Sequence, residues 1–206
     1  MIEGDEIPDV TVTTAEGTMP LPSLGLPLVV YFYPKDDTAG CTREAQDFTA
    51  LAPAFAEAGA VVVGVSKDSL EAHAKFTAKH ALSVTLASDA DGAVCEAFGV
   101  WVEKNMYGRK YMGIERATFL FGADSKLVKA WRKVRVPGHV EAVLSAVGAL
   151  QARLRLGPAL RDFTDRSGIG RIFQQFGARI RRLDARRLPA GAASALNGTS
   201  DERRGC

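Results

Sequence analysis

The sequence predicts an α/β fold in which helices flank a mixed β-sheet. Strand and helix signals alternate through the first 150 residues, and two adjacent strands late in this region form a hairpin-like pair. Apolar residues make up 47% of the 206 residues, which is enough to bury a core without disulfides and excludes a chain disordered throughout. No apolar run approaches the roughly 18 residues of a membrane span, and no internal repeat appears.

The first strand and helix follow from an apolar run and an apolar helix face. Residues 28–33 are a continuous β-prone run that ends at Pro34, which is typical of a buried central strand. Gly59 ends the helix that follows. The apolar face of this helix, at helical spacing, consists of Phe48, Leu51, Ala52 and Phe55.

A second strand and helix come next. Residues 60–65 form another buried apolar run, which predicts a strand beside the first one. Ser69 is then the expected N-cap of a helix that extends to about Ala81. Glu71 lies in the first turn of that helix, where its charge complements the helix dipole.

The last elements complete the mixed sheet. Residues 89–92 form a turn, and a short helix through Phe98 follows it. Strands at 117–121 and 127–131 make the hairpin-like pair. Residues 140–156 carry apolar side chains at helical spacing and predict a final helix.

The formal net charge of +2 is the sum of two unlike regions. Residues 1–150 hold 14 basic and 19 acidic residues, a net charge of −5, whereas residues 151–206 hold 12 Arg and 5 acidic residues, a net charge of +7. This shift predicts a domain at 1–150, an Arg-rich amphipathic helical extension at 151–188 and a disordered tail at 189–206. The extension either packs on the domain or stays loose, or it binds an anionic membrane surface, RNA or a protein partner.

Cys41 is the residue whose setting points to chemistry. It follows a buried strand and a short polar loop, and it lies where a helix opens. Unpaired N–H groups and the positive end of the helix dipole favour a thiolate at such a position. Thr38 lies three residues earlier, within reach of the same place, and Pro34 shields one side without donating a hydrogen bond. This setting suits attack by a thiolate on an electrophile such as an O–O bond.

Pro34, Thr38 and Cys41 form the pattern Pro-x-x-x-Thr-x-x-Cys, which resembles the active-site motif of the peroxiredoxins. Residues 33–48 are similar to the bacterioferritin comigratory protein branch of that family, also called PrxQ. The resemblance covers about residues 3–150 and includes the segments 63–69, 86–89, 95–101, 107–108 and 113–120. It implies a thioredoxin-like fold and a thiol peroxidase that reduces hydrogen peroxide and organic hydroperoxides.

The resemblance also implies a role for each matched residue. Cys41 is the peroxidatic nucleophile, which becomes a sulfenic acid, Pro34 shields it, and Thr38 hydrogen-bonds the peroxide. Arg116, distant in sequence, matches the arginine that completes the site. Donors aimed at the leaving oxygen stabilise the transition state more than the ground state. No metal or other cofactor is implied.

The cysteine that would resolve the sulfenic acid is missing from its usual places. Many PrxQ proteins carry it five residues after the first cysteine or in the next helix, but this chain has Gln46 at the former position and no cysteine in residues 71–81. Cys95, expected as a buried small hydrophobe, and Cys206, the last residue, are the remaining candidates. We therefore expect a one-cysteine cycle in which thioredoxin, glutaredoxin or a small thiol reduces the sulfenic acid. The alternatives are a non-catalytic redox sensor that relays Cys41 oxidation to a partner, and a thiol oxidoreductase that acts on proteins.

Other clusters of charged, aromatic and histidine side chains have simpler interpretations. Residues 101–111 mix aromatic and basic side chains, but the surrounding domain is net acidic, so they are predicted to be a loop beside the active site rather than a nucleic-acid surface. Asp36 and Asp37 are expected to be solvated. The three histidines lack metal-ligand spacing and are expected at the surface or half-buried: His73, His80 and His139.

The remaining expectations concern location and assembly. The acidic first residues lack the apolar segment of a secretory signal, and three cysteines do not make a disulfide framework. We therefore expect a reducing cytoplasm. We also expect a monomer.

Overall fold

The computed structural model describes residues 1–106 and 108–155. Its strands are β1 (Thr11–Thr14), β2 (Gly17–Pro20), β3 (Leu28–Phe32), β4 (Val61–Ser66), β5 (Thr85–Ser88), β6 (Trp101–Met106), β7 (Arg109–Ile114), β8 (Ala117–Phe121) and β9 (Leu127–Trp131). Its α-helices are α1 (Ala39–Glu57), α2 (Leu70–His80), α3 (Ala93–Ala97) and α4 (His139–Arg155). A short 3₁₀ turn spans Leu21–Leu24.

The main sheet is mixed and has seven strands in the order β2-β1-β5-β4-β3-β8-β9. Strand β3 pairs in parallel with β4 and antiparallel with β8, and β8 continues antiparallel to β9. Strands β6 and β7 form a separate two-stranded hairpin. This arrangement confirms the predicted mixed sheet with flanking helices, and the thioredoxin-like fold that the resemblance implied.

Strand β3 contributes to two separate cores because side chains alternate between the two faces of a strand. Leu28, Val30 and Phe32 belong to one core, which also holds residues of α3. Val29 and Tyr31 belong to the other core, which holds residues of α1, α2 and α4. All five residues of β3 are buried, as expected for a central strand.

The ring of Tyr31 fits against the sheet because the residue paired with it on β4 is Gly64. A Cβ atom at Gly64 would lie 2.5 Å from Cζ of Tyr31, which real side chains do not tolerate. The ring then stacks on Phe48 of α1, with 4.4 Å between the ring centroids. This stack fixes α1, and with it the helix start, over the end of β3.

The predicted elements with long apolar runs or clear caps are confirmed, with ends that differ by one or two residues. The Ser69 side chain accepts a hydrogen bond from the backbone N–H of Ala72, so the predicted N-cap of α2 is present. Strands β1, β2 and β5 were absent from the prediction. Each has four residues, too few for a run that periodicity can identify.

The prediction of a loop at residues 101–111 was wrong, because most of this segment is the β6–β7 hairpin. The register places Lys104 opposite Tyr111, and Lys110 pairs with Glu103 at 3.1 Å. Charged and aromatic residues on facing strands stabilise such a ribbon through cross-strand pairs, even without an apolar run. Charge and aromatic content alone therefore did not distinguish a ribbon from a loop.

Helix α4 continues to Arg155, so the change in charge near residue 150 falls inside a helix. The rest of the predicted extension at 151–188, and the predicted tail at 189–206, lie outside the described residues. Within residues 1–106 and 108–155, no helix is long and apolar enough to cross a membrane.

Candidate active site

Cys41 is the third residue of α1, which follows β3 after the loop at residues 33–38. The first amide groups of a helix have no partner within it, so they face the side chains of the first turn. The first helical bond runs from the N–H of Thr42 to the carbonyl of Thr38 at 2.8 Å. Cys41 itself is only 2% exposed. The thiol therefore lies at the positive end of a 19-residue helix, largely shielded from water.

Arg116, the residue before β8, brings a positive charge to this sulfur. Its Nη2 donates a hydrogen bond to Sγ of Cys41 at 3.2 Å. Gly40 leaves room for this approach, because a Cβ atom there would lie 3.3 Å from the same Nη2, which is tighter than ordinary van der Waals contact. A guanidinium in contact with a sulfur favours the thiolate over the thiol.

Glu44 holds Arg116 in place and was not found by sequence reasoning. It lies one helical turn after Cys41 on α1, is fully buried, and accepts a hydrogen bond from Nη1 of Arg116. Burial raises the pKa of Glu44 to about 7, although the attraction of Arg116 acts in the opposite direction. Burial alone would lower the pKa of Arg116, but Glu44 and Cys41 outweigh it and raise that pKa. The guanidinium therefore stays charged and is fixed between a carboxyl group and the sulfur.

Thr38 and Pro34 lie on the exposed loop that leads into α1. The Thr38 hydroxyl donates to the backbone carbonyl of Lys35 at 3.1 Å. With its proton used in this way, its oxygen can still accept a hydrogen bond from a substrate. Pro34 has no N–H group to offer and presents an apolar ring.

Lys104 is a second cation near this site that sequence reasoning missed. It lies on β6, and its Nζ donates to the backbone carbonyl of Ile114, at the end of β7. Burial and the charge of Arg116 lower the pKa of Lys104. The signal was not available in the sequence, because only the β6–β7 pairing brings Lys104 toward Arg116.

The expectations of solvated aspartates and of surface or half-buried histidines were wrong for Asp36, His73 and His139. Asp36 is buried, at 8% exposure, and its Oδ2 lies 2.8 Å from Nδ1 of the buried His73. His139 is also buried; its Nε2 lies 2.8 Å from Oγ1 of Thr118, and burial together with Arg116 lowers the pKa of His139 to about 4. Only Asp37 matches the expectation of an exposed carboxylate. The partners of Asp36 and His139 lie on other elements of the fold, so no local pattern identified them.

Cys95 lies on the other side of the sheet from Cys41. It is fully buried in the core that holds α3, whereas Cys41 belongs to the core that holds α1. Burial and a hydrogen bond to the carboxylate of Asp89 raise the pKa of the Cys95 thiol well above its usual range. This agrees with the expectation of a structural cysteine. Cys206, the other candidate for a resolving cysteine, lies outside the described residues.

Comparison with known proteins finds relatives that match most of the described residues. The family model described as AhpC/TSA family matches residues 3–130. Peroxiredoxin Bcp of Xanthomonas campestris is 55% identical over 122 residues, which is 59% of this chain and 76% of that protein. A putative peroxiredoxin bcp of Coxiella burnetii is 48% identical over 143 residues, which is 68% of this chain and 95% of that protein.

Solved structures give the same result. The bacterioferritin comigratory protein of X. campestris, in structures that concern its alkyl peroxide reduction activity, superposes with a TM-score of 0.67 at 46% identity. That match covers 73% of this chain and 99% of that chain. Peroxidoxin BcpB of Mycobacterium tuberculosis superposes with a TM-score of 0.64 at 32% identity and covers 73% of this chain and 98% of that chain.

A cysteine at a helix start beside a half-buried arginine, on a thioredoxin-like sheet, is the arrangement of a thiol-dependent peroxidase. Such an enzyme takes a peroxide as substrate and a thiol as reductant. The chain belongs to the AhpC/TSA family, and within it is similar to the Bcp and PrxQ peroxiredoxins.

Proposed function

We propose that this peroxidase reduces hydrogen peroxide and alkyl hydroperoxides at Cys41 through a one-cysteine cycle. The observation that carries the proposal is the 3.2 Å contact between Nη2 of Arg116 and the Cys41 sulfur at the start of α1. The guanidinium and the helix N-terminus both favour a thiolate, which is the attacking form of cysteine. The X. campestris structures that concern alkyl peroxide reduction support the same class of substrate here.

In the first step the Cys41 thiolate attacks the terminal oxygen of the hydroperoxide. An S–O bond forms while the O–O bond breaks, and the leaving oxygen takes both the electron pair and the proton of the hydroperoxide. The products are an alcohol, or water, and a Cys41 sulfenate. Charge grows on the leaving oxygen, so N–H groups of Arg116 and of the first turn of α1 bind the transition state more tightly than the ground state. The Thr38 oxygen accepts the hydrogen bond of the peroxide O–H group.

In the second step an external thiol reduces the sulfenic acid. Its thiolate attacks the Cys41 sulfur and releases water, which leaves a mixed disulfide. A second donor thiol then releases the Cys41 thiol, and the donor leaves as a disulfide. The position of Cys95 supports this route, because its burial on the opposite face of the sheet keeps its sulfur away from Cys41.

The test is the intact mass of the full chain after one equivalent of peroxide without reductant. We expect a gain of one oxygen that dimedone traps at Cys41 and that is absent from Cys41→Ser. A loss of two hydrogens that disappears in Cys95→Ser or Cys206→Ser would contradict the one-cysteine cycle and identify the resolving cysteine.

We propose thioredoxin, glutaredoxin or a small thiol as the electron donor. Steady-state peroxide consumption with each donor, at equal thiol concentration, identifies the one that supports turnover. A single turnover that no donor rescues would favour the alternative, a redox sensor that passes Cys41 oxidation to a partner.

We further propose that the enzyme acts as a monomer in a reducing cytoplasm. For residues 151–188, the excess of arginine favours an anionic membrane surface or an acidic protein partner. Co-sedimentation with anionic liposomes compares the full chain with a chain that ends at Leu156. Equal binding of the two would remove the membrane as the partner.

A further inference from the structure

Asp36 is a buried carboxylate in the middle of the exposed loop between β3 and α1. Its Oδ1 accepts the Tyr33 hydroxyl at 2.8 Å, and its Oδ2 lies 2.8 Å from Nδ1 of His73 on α2. Its own backbone N–H donates to Oδ2 of Asp68 at 2.8 Å. One loop residue is therefore bonded to the end of β3, to α2 and to the segment between β4 and α2.

The partners of Asp36 are themselves fixed. The Ser66 hydroxyl donates to Oδ2 of Asp68 at 2.8 Å, and the backbone N–H of Asp68 donates to the Ser66 oxygen at 3.1 Å. A carboxylate only accepts hydrogen bonds, so Nδ1 of His73 carries the proton that it donates to Asp36. His73 and Asp36 have 5% and 6% of their side-chain surfaces exposed, so water does not replace this bond.

The next residue adds a weaker attachment to the same helix. Asp37 has a left-handed backbone, with φ of 57°, and its carboxylate contacts Nε2 of His80 at 2.7 Å and Nζ of Lys79 at 2.5 Å. These groups are more exposed, and exposed ion pairs contribute little. The buried pair of Asp36 and His73 is the main attachment of the loop to α2.

The loop that Asp36 fixes is the one that carries the Thr38 hydroxyl. Lys35 and Thr38 flank the attached residues, and the Thr38 hydroxyl donates to the Lys35 carbonyl at 3.1 Å. A shift of Asp36 would therefore move the oxygen that accepts the hydrogen bond of the peroxide. Cys41 and Arg116 are held differently, by α1, Glu44 and β8, and do not depend on His73.

We propose that His73 is a positioning residue for the peroxidase reaction: through Asp36 it holds the Thr38 loop in the geometry that binds peroxide, without acting on the Cys41 sulfur. This inference rests on the proposed function. It predicts that the loss of His73 affects a reaction that uses Thr38 and spares a reaction that uses the thiolate alone.

The test compares two reactions of the same thiol in the full chain. The reaction with peroxide uses Thr38, Arg116 and the thiolate, whereas alkylation by iodoacetamide uses only the thiolate. In His73→Leu we expect the rate constant with hydrogen peroxide to fall about tenfold or more, since small misplacements have large effects on rate. The rate constant with iodoacetamide should stay within about twofold of the wild-type value, because the substitution leaves the thiolate intact.

Two further variants separate positioning from folding. In His73→Asn the amide nitrogen occupies the place of Nδ1 and donates to Asp36, so we expect most of the peroxide rate to return. Leu127→Ala on β9 removes buried volume from the core on the other face of the sheet, and it should lower the melting temperature without changing the ratio of the two rates. If His73→Leu does not fold, Asp36→Ala, which removes both oxygens that bind Tyr33 and His73, carries the same comparison, with a loss in the same direction.

Several results would overturn the proposal. These are equal loss of both rates in His73→Leu, no loss of either rate, no rescue by His73→Asn, or the same change of ratio in Leu127→Ala. Failure of the proposed function is a different result, because the wild-type chain would then not form a sulfenic acid at all.

Discussion

Cys41 and Cys95 occupy the same position in their helices and have opposite environments. Each is the third residue, Cys41 in α1 and Cys95 in α3. At α1 the sulfur receives a hydrogen bond from Arg116. At α3 the carboxylate of Asp89 accepts the backbone N–H groups of Val94 and Cys95, at 3.0 and 2.8 Å, so the donors of that helix start are already used.

A helix N-terminus therefore does not by itself activate a thiol. A carboxylate that caps the helix satisfies its amides and adds a negative charge beside the sulfur, which opposes a thiolate. A guanidinium leaves the amides available and adds a positive charge. The residue that reaches the helix start from elsewhere in the fold therefore decides whether the cysteine reacts.

The largest expected effect comes from removal of the guanidinium. In Arg116→Met we expect the rate constant with peroxide to fall by about 10²–10³, because a donor aimed at the leaving oxygen is lost. Arg116→Lys keeps the charge and should retain part of the rate. Stopped-flow peroxide consumption measures both variants.

The matched control for this change is Arg43→Met, which removes one positive charge two residues after Cys41. The Arg43 side chain is 73% exposed and pairs with Asp47, so the rate should change by no more than about twofold. An unchanged rate in Arg116→Met would break the comparison, because the guanidinium would then not be what distinguishes the two cysteines.

A smaller effect concerns His139, which precedes Val140 of the Cys41 core and whose pKa is lowered by burial and by the charge of Arg116. Its folded pKa of about 4 is below the ordinary value of 6.5, so the unfolded chain binds more protons between these pH values. Stability should therefore fall as the pH is lowered through this window, by up to about 2 kcal/mol. The free energy of unfolding in denaturant, measured at both ends of the window, should change less in His139→Gln.

Glu44 changes the free energy of unfolding with pH in the opposite direction, because its folded pKa is raised to about 7 from the ordinary 4.5. The folded state takes up its proton first as the pH falls, which adds stability. This contribution is common to wild type and His139→Gln and cancels in their difference. If the free energies of unfolding of the two proteins changed in parallel with pH, His139 would titrate alike in the folded and unfolded chains, and the prediction would be wrong.

The smallest expected effect is at the cap of the other cysteine. The backbone amides of Val94 and Cys95 each use one oxygen of Asp89, and asparagine has only one acceptor oxygen. In Asp89→Asn the stability of α3 should therefore fall by about 1 kcal/mol. Because Cys95 is fully buried, a thiol reagent reaches it through opening of the structure, and its labelling should accelerate about fivefold.

Peptide mapping of the labelled chain follows the two cysteines separately in the same sample. The Cys41 labelling rate should stay unchanged in Asp89→Asn. Asp91→Asn is the control, because the exposed Asp91 uses one oxygen for the N–H of Ala93 and the amide keeps that acceptor. Equal acceleration at both cysteines would show that the two helix starts are not independent.

The sequence was informative wherever the signal was local. The run at β3, the cap at Ser69 and the motif of Pro34, Thr38 and Cys41 each occupy a short stretch. Arg116 was found only through the family resemblance, because residues paired between β3 and β8 are separated by 85 to 93 positions in the chain.

What could not be predicted depends on pairing between distant elements. Glu44 became significant only once β8 placed Arg116 beside α1, and the contact between Asp36 and His73 needs α2 to pack beside the loop. Both aspartates of the loop looked like solvated neighbours, yet one is buried and one is exposed. Sequence spacing does not contain that difference, because it arises from which elements meet in three dimensions.

Gly40 gives natural variation a way to adjust this enzyme without touching a reacting group. A hydrogen in place of a methyl leaves the space that the Arg116 guanidinium uses. Alanine at this position would push the guanidinium away by a few tenths of an ångström and weaken its contact with the sulfur. A substitution at Gly40 would thus change the reactivity of Cys41 through one small side chain, while every residue that performs the chemistry stays the same.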